Sequence, residues 1–518
     1  ISWIFHGPAR VVERRCAFFV RQNFVQDCYR KLQKLPYAWH QNFHTGQLYD
    51  RVRKAEDALE HFSGSHFRYI WFLGNLFGPI IALILLFKWF GLACVLIVAF
   101  AFKLVQYFDK KLIPLYKQSN ELSHSYAGVF SDYLANIRTI IALRLGRETE
   151  AELLQRYEMR RVPKWKEYNI NEWKWFAIDS TSEFVVILLM VVALYLVRDK
   201  HEFPIGNLVM LFQYLSKFST VFNSLGDLYQ TLVKDATDYT TTHIIDEAYE
   251  HYRASGQITD SDPRSAQSWK HITIHGLGFA YEDSQHRPQA LQDIALQITA
   301  GEKIAFVGES GSGKSTLMTV LRGLYKADGG TMVMDNQQFD SLQPLAAMTT
   351  LIPQDPEIFE NTIRYNITFG VEHTDEEILH ACRIAGFDSV LAELPKGLES
   401  DIREKGVNLS GGQKQRLALA RGIFAIQVSS LVLMDEPTSS VDTLTEMHIF
   451  DRLFAEFRDK TIIASIHRLH LLSRFDRIYY IDHGRIAEQG TLSQLIAGKG
   501  VFARLWQEYQ EQQALGDD

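Results

Sequence analysis

Gly308-Glu309-Ser310-Gly311-Ser312-Gly313-Lys314-Ser315 fits the pattern G-x-x-x-x-G-K-[ST]. Glycines at these spacings let the backbone close into a nest of N–H groups that cradles phosphates at a helix N-terminus. Lys314 would then reach the β- and γ-phosphates of a nucleotide. The Ser315 hydroxyl would ligate Mg²⁺, and Thr316 would follow it at the nucleotide. The flanks suit this reading: residues 303–308 form a short apolar run, and a helical pattern continues from Ser315 through Leu321. Strand, glycine-rich loop and helix, in that order, are the context a P-loop requires. The motif occurs in many nucleotide-hydrolysing classes, so alone it says only that a nucleotide binds.

Downstream, Leu431-Val432-Leu433-Met434-Asp435-Glu436 is an apolar strand that ends in two carboxylates. Such a strand is buried in an open α/β sheet, and its C-terminal end meets the ligand. Asp435 would hold Mg²⁺ through water, and Glu436 would polarise an attacking water as general base. Thr461-Ile462-Ile463-Ala464-Ser465-Ile466 is a second buried strand, followed by His467. Residues 478–481, Asp482-His483-Gly484 and Arg485-Ile486 read as a terminal β-hairpin.

Leu409-Ser410-Gly411-Gly412-Gln413 narrows the class. With it the chain resembles the ATP-binding cassette (ABC) transporters, whose signature motif reads this way. The resemblance assigns further residues. Tyr281 matches the aromatic that stacks on adenine. Leu351-Ile352-Pro353-Gln354 resembles the Q-loop, with Gln354 at Mg²⁺ or the attacking water. Ser440-Val441-Asp442 resembles the D-loop that bridges two cassettes, and His467 matches the switch histidine on the γ-phosphate. In this family the signature caps the ATP held by a partner's P-loop, through Ser410 and the N–H of Gly412. One P-loop and one signature per chain therefore imply a dimer of cassettes, either with a second copy or with a related half-transporter. Glu436, His467 and the full signature are all present, which favours two working ATP sites.

The chain has 518 residues, too many for one ordinary domain. The mean hydropathy of −0.11 averages two different halves: long apolar runs lie before about residue 235, and soluble α/β texture follows about residue 270. A net charge of −7 gives no sign of a nucleic-acid partner. Cys16, Cys28, Cys94 and Cys382 are too far apart for a C-x-x-C metal or redox site and read as isolated thiols.

The N-terminal half reads as a membrane domain, residues 1–247, with spans near 67–87, 89–105, 184–197 and 204–225. Residues 67–87 are long enough to span the roughly 30 Å of hydrocarbon, 89–105 follow after a single Lys88, and 184–197 form the core of the next span. Residues 1–5 look like the tail of another apolar helix whose beginning precedes Ile1. A polar helical stretch, about 9–35, carries Val12, Cys16, Phe19, Val20, Phe24, Cys28 and Leu32 at helical spacing, and Pro36 ends it. The last span is expected to run on as helix to about Glu247. Both long Lys/Arg-rich loops fall on the side of the cassette, in keeping with the positive-inside rule, although Arg198 and Lys200 sit in a short loop on the other side. Gln213, Lys217, Thr220 and Ser224 share one helix face and are candidates, with Asn75 and Asn223, to line a substrate cavity; helix–helix hydrogen bonding is the plainer reading.

The expected fold is thus a membrane α-helical bundle followed by an α/β P-loop NTPase domain of ABC type. A polar linker at 248–270, with Gly256 and Asp262-Pro263, separates it from a cassette at 271–518. The resemblance places coupling helices near 37–43 and 123–132. It implies an integral protein of a cell (inner or plasma) membrane with the ATPase in the cytoplasm. Its cofactors would be ATP and Mg²⁺, and its partners the bilayer, a second half-transporter and a transported substrate. An exporter-type transporter is the leading reading. A soluble-type ABC ATPase is opposed by the apolar spans, and importer-type or channel use of the fold stays open.

Overall fold

A computed structural model describes residues 2–200, 205–256, 269–281, 290–402 and 409–516. Of the features read from the sequence, residues 1 and 204 and Asp262-Pro263 lie outside the described residues, as do the side chains of Arg198, Lys200 and Asn223. The chain divides into two compact units, Ile1–Thr259 and Asp260–Asp518.

The first unit is wholly helical among its described residues. Its helices are α1 (Ser2–Lys34), α2 (Tyr37–Gln41), α3 (Thr45–Ser63), α4 (His66–Leu86), α5 (Lys88–Ala135), α6 (Ile137–Ala142), α7 (Gly146–Glu158), α8 (Arg161–Lys200), α9 (Ile205–Thr240) and α10 (His243–Ala254). Pro8 lies inside α1 without ending it, although it forfeits one backbone hydrogen bond. The short α2 falls where the first coupling helix is expected.

Residues 123–132, where a second coupling helix is expected, form no separate short helix. They lie inside the 48-residue α5, which runs through Gly128 where it packs closely on Gln47 and His44; the chain breaks instead at Asn136 and again at Arg144, which has φ +59°, enclosing the short α6. α9 also stops earlier than expected. Thr240, Thr241 and Thr242 each turn a hydroxyl back onto the carbonyl three residues before, which competes with helix propagation. Part of the supposed linker is then helical: α10 presents Ile245, which is 1% exposed, together with Tyr249 and Tyr252, to Leu35 and Trp39.

Among the described residues three segments are long and apolar enough to cross a membrane: His66–Leu86, Lys88–Ala135 and Gly146–Tyr195. α9, which holds the fourth expected span, is not among them; its face with Gln213 and Lys217 lowers its apolarity. Thr220 and Ser224 on that face bond to the carbonyls of Ser216 and Thr220, and Asn75 bonds to that of Trp71. These groups are satisfied by their own helices.

The second unit holds two sheets. One is antiparallel, in the order β2 (Leu291–Thr299), β1 (His271–Phe279), β4 (Gly329–Met334) and β5 (Gln337–Phe339). The other runs β10 (Arg485–Gly490), β9 (Arg477–Asp482), β3 (Lys303–Val307), β8 (Thr461–Ser465), β7 (Leu431–Asp435) and β6 (Thr349–Ile352). It is parallel except for the terminal β9–β10 hairpin. β3, β7 and β8 are buried at every position, as continuous apolar runs in a parallel sheet must be. An apolar core lies on each face of this sheet, one shared with the antiparallel sheet and the P-loop helix Lys314–Leu321, the other with the signature helix Gly411–Gln427.

Ile463, at the centre of β8, is 0% exposed. Ile463→Val should cost about 0.5–1.5 kcal/mol for the lost methylene. Calorimetry of the purified protein checks this as a lowered melting temperature with unchanged nucleotide affinity.

Candidate functional site: a phosphate-binding cavity at one edge of the parallel sheet

Four neighbouring strands deliver the chemistry to one edge. β3 runs into the P-loop, β6 leads to Gln354, β7 ends at Asp435 and Glu436, and β8 leads to His467. All four are parallel, so their C-terminal ends open on the same side, where ligands bind in open α/β sheets.

The P-loop depends on backbone no other residue type would accept. A Cβ on Gly308 would lie 2.1 Å from the Ile481 carbonyl oxygen. Gly313, at φ +106°, caps the helix from a left-handed conformation. Lys314 is 4% exposed and donates to the carbonyls of Gly308 (2.8 Å) and Glu309 (2.9 Å). Burial lowers its pKa below the ordinary lysine value, while the Glu436 and Asp435 carboxylates pull the other way.

Glu436 takes a left-handed backbone, φ +45°, a conformation that costs a non-glycine residue about 1–3 kcal/mol and is concentrated at functional sites. Its carboxylate is held from both sides. Gln354 Nε2 donates to Oε2 at 2.9 Å, and His467 Nε2 lies 2.5 Å from Oε1. The three side chains come from 82 and 31 residues apart and meet only because their strands are neighbours. Asp435 is 7% exposed, and its Oδ1 has no hydrogen-bond partner among the described residues. A buried carboxylate oxygen without a donor, close to Lys314 and the Ser315 position, suits a divalent cation of the Mg²⁺ type. Among the described residues no cluster of three His, Cys, Asp or Glu side chains could hold a metal by itself, so most ligands of such an ion would be phosphate and water oxygens.

A cavity of about 800 Å³ joins these groups, within the size range of small-molecule sites. Ser310, Gly311 and the run 313–316 line it, with Tyr281, Gln354, Glu436 and His467. Gly308, Glu309 and Ser312 shape the loop beneath it. Tyr281 packs edge-on against Phe279 and Tyr325, and its hydroxyl lies 3.0 Å from Thr316 Oγ1. The sequence reading missed one wall, made by Ala290, Gln292, His483 and Gly484. Gly484 N donates to the Ser312 carbonyl and Gln292 N to that of Gly484, so the terminal hairpin braces the P-loop. Nothing local in the sequence signals that contact.

The signature residues Ser410, Gly411, Gly412 and Gln413 do not line the cavity, nor does Asp442. Ser410 and Gln413 form a reciprocal capping box at the head of the signature helix, and Asp442 caps the helix Thr443–Glu456 through the Thr445 N–H. The Gln413 and Asp442 side chains, expected at a nucleotide, cap helix ends in this chain.

Comparison with known proteins adds the following. The family model described as "ABC transporter transmembrane region" matches residues 20–222, and the one described as "ABC transporter" matches 291–439. ATP-binding cassette sub-family B member 6 of Xenopus tropicalis is 30% identical over 356 residues, 66% of this chain and 40% of that protein. Heavy metal tolerance factor 1 of Caenorhabditis elegans is 27% identical over 500 residues, 93% of this chain and 60% of its own length. The human iron-sulfur clusters transporter ABCB7, mitochondrial, is 32% identical over 311 residues, 58% of this chain and 40% of that protein. The chain thus spans about 40 to 60% of the length of these curated relatives. A bacterial Atm1-family ABC exporter structure with ATP bound superposes with a TM-score of 0.84 at 24% identity, covering 98% of this chain and 87% of that one, a likeness of fold.

Proposed function

This chain belongs to the ABC transporters, and on that premise we propose that it is an exporter half-transporter, coupling ATP hydrolysis to movement of a substrate across a membrane. The observation that carries the hydrolytic part is the Glu436 carboxylate, gripped by Gln354 and His467 at the rim of the P-loop cavity. The P-loop N–H groups and Lys314 bind the phosphates of ATP. Glu436 takes the proton of the attacking water, and Gln354 and His467 orient the carboxylate that does so. Each oxygen has one partner here and keeps a second lone pair, on which a water can be held. Asp435 and the Ser315 hydroxyl are the residues that would hold Mg²⁺, which when bound offsets phosphate charge.

The signature does not line the cavity of its own chain, which supports a second cassette completing the site. Ser410 and the Gly412 N–H would then meet the γ-phosphate held by the partner. A second copy of this chain is the simplest partner. The apolar helices of the first unit support a place in a bilayer, and in this reading the cassette stands on the cytoplasmic side. Several relatives are named as mitochondrial, so fractionation of tagged protein decides between a cell membrane and a mitochondrial one.

The test is ATP hydrolysis by the protein in lipid nanodiscs against lipids, peptides and hydrophobic drugs. Iron–sulfur clusters and heavy-metal ions join the panel because relatives bear those names. Stimulation by one class is the expected result and identifies the cargo. A protein that binds ATP yet hydrolyses none, alone or with any related half-transporter, overturns the reading.

A further inference from the structure

The segment 438–442 between Glu436 and the helix Thr443–Glu456 is held by side chains from two directions. On one side stands Gln415, on the second turn of the signature helix. Its Nε2 donates to Ser439 Oγ at 2.7 Å, and its Oε1 accepts from Ser440 N at 2.8 Å. The contact is close: a Cβ on Gly412 would lie 2.6 Å from the Ser440 carbonyl oxygen. On the other side stands Arg468, the residue after His467. Its guanidinium donates to the carbonyls of Val441 (2.7 Å) and Ser439 (3.3 Å) and to Glu446 Oε2 (3.0 Å). Glu446 is 4% exposed, and its other oxygen accepts the Thr438 hydroxyl at 2.6 Å.

The head of the signature helix and the histidine beside the hydrolytic carboxylate are therefore joined through one short segment. A planar guanidinium that grips two carbonyls and a buried carboxylate has little freedom, so a displacement of 438–442 moves the backbone of residue 468, and His467 with it. We propose that Arg468, seated by Glu446, is a positioning residue that makes the placement of His467 on Glu436 depend on the state of the signature helix. Nucleotide met by the signature of a cassette then sets the hydrolytic rate in the cavity of that same cassette. This coupling rests on the proposed reading of the chain as a dimeric ATPase.

The experiment is ATP hydrolysis by the whole chain in nanodiscs, comparing wild type with Arg468→Met and Glu446→Gln. The second variant keeps the shape and the Thr438 bond, and it carries the test if the first does not fold. Both should lower kcat about ten-fold, the upper range for a residue that modulates coupling, and bring the Hill coefficient for ATP from above one to one. The Kd for a fluorescent ATP analogue should stay within about two-fold. Combined with Gln415→Ala, the loss should be less than the product of the single losses, because the same path is cut twice. Wild-type kcat and Hill coefficient in both variants overturn the inference alone. So does a fall in kcat matched by an equal fall in nucleotide affinity, which marks local unfolding. A wild-type protein without ATP hydrolysis overturns the proposed function and this inference together.

Discussion

Glu436→Gln lowers ATP turnover by about 10²–10⁴, the range for losing a general base, and leaves ATP binding intact. The substitution is close to isosteric, and the amide suits both neighbours. Its oxygen can accept from Gln354 Nε2, which now lies 2.9 Å from Oε2, and its NH₂ can face His467 in the tautomer that accepts at Nε2. The strained backbone at φ +45° is unchanged. What goes is the capacity to take a proton from water. Steady-state hydrolysis and equilibrium nucleotide binding, measured on the same preparation, separate the two effects. ATP-bound protein should accumulate in the variant. Turnover at the wild-type rate would mean that another group activates the water, and His467 would be the first to examine by substitution.

The same residues illustrate what a sequence discloses and what it hides. The strands that carry the site are each a short apolar run ending in its functional residue, such as Val307 before Gly308 or Met434 before Asp435. A fully buried parallel strand needs that composition at every position, so the pattern is local and legible. The grip of Gln354 and His467 on Glu436 is less so, because it depends on strand order, and β7 lies between β6 and β8 only in the folded sheet. The wall made by His483 and Gly484 is harder still. It arises from a turn near the C-terminal end of the chain packing under a loop some 170 residues earlier. In the helical unit, apolar runs locate the candidate spans, but the ends of helices are set by weak local competition. Three successive threonines stop α9, and residues 123–132, which carry charge, polarity and Gly128, continue as helix where that glycine packs closely on Gln47 and His44. Ser410 and Gln413 show the reverse case. S-x-x-Q is a legible capping box, and the signature motif hides it by inviting a reading in terms of ligand alone.

Lys314→Met should abolish useful ATP binding while leaving the nucleotide-free protein as stable as wild type, or more so. The argument turns on where the ammonium stands before ATP arrives. It is 4% exposed, its donors rest on the carbonyls of Gly308 and Glu309, and among the described residues no carboxylate forms an ion pair with it. Burial lowers its pKa, with Glu436 and Asp435 opposing. A desolvated cation with incomplete compensation strains the apo state, and methionine fills similar volume without a charge. In the bound state the balance reverses. Phosphate oxygens supply the anion the ammonium lacks, and removing one partner from such a buried pair costs about 3–5 kcal/mol, a loss of roughly 10²–10³ or more in affinity. The two states thus respond with opposite signs, and thermal unfolding with and without MgATP reads both. Wild type should gain a melting-temperature shift that grows with ATP concentration, since a ligand at about 100 times its Kd adds about 2.7 kcal/mol. The variant should start at an equal or higher temperature and gain nothing at the same ATP concentration. A variant that melts lower without ATP, yet keeps the shift, would make Lys314 a structural brace of the P-loop and leave phosphate binding to the loop's backbone N–H groups.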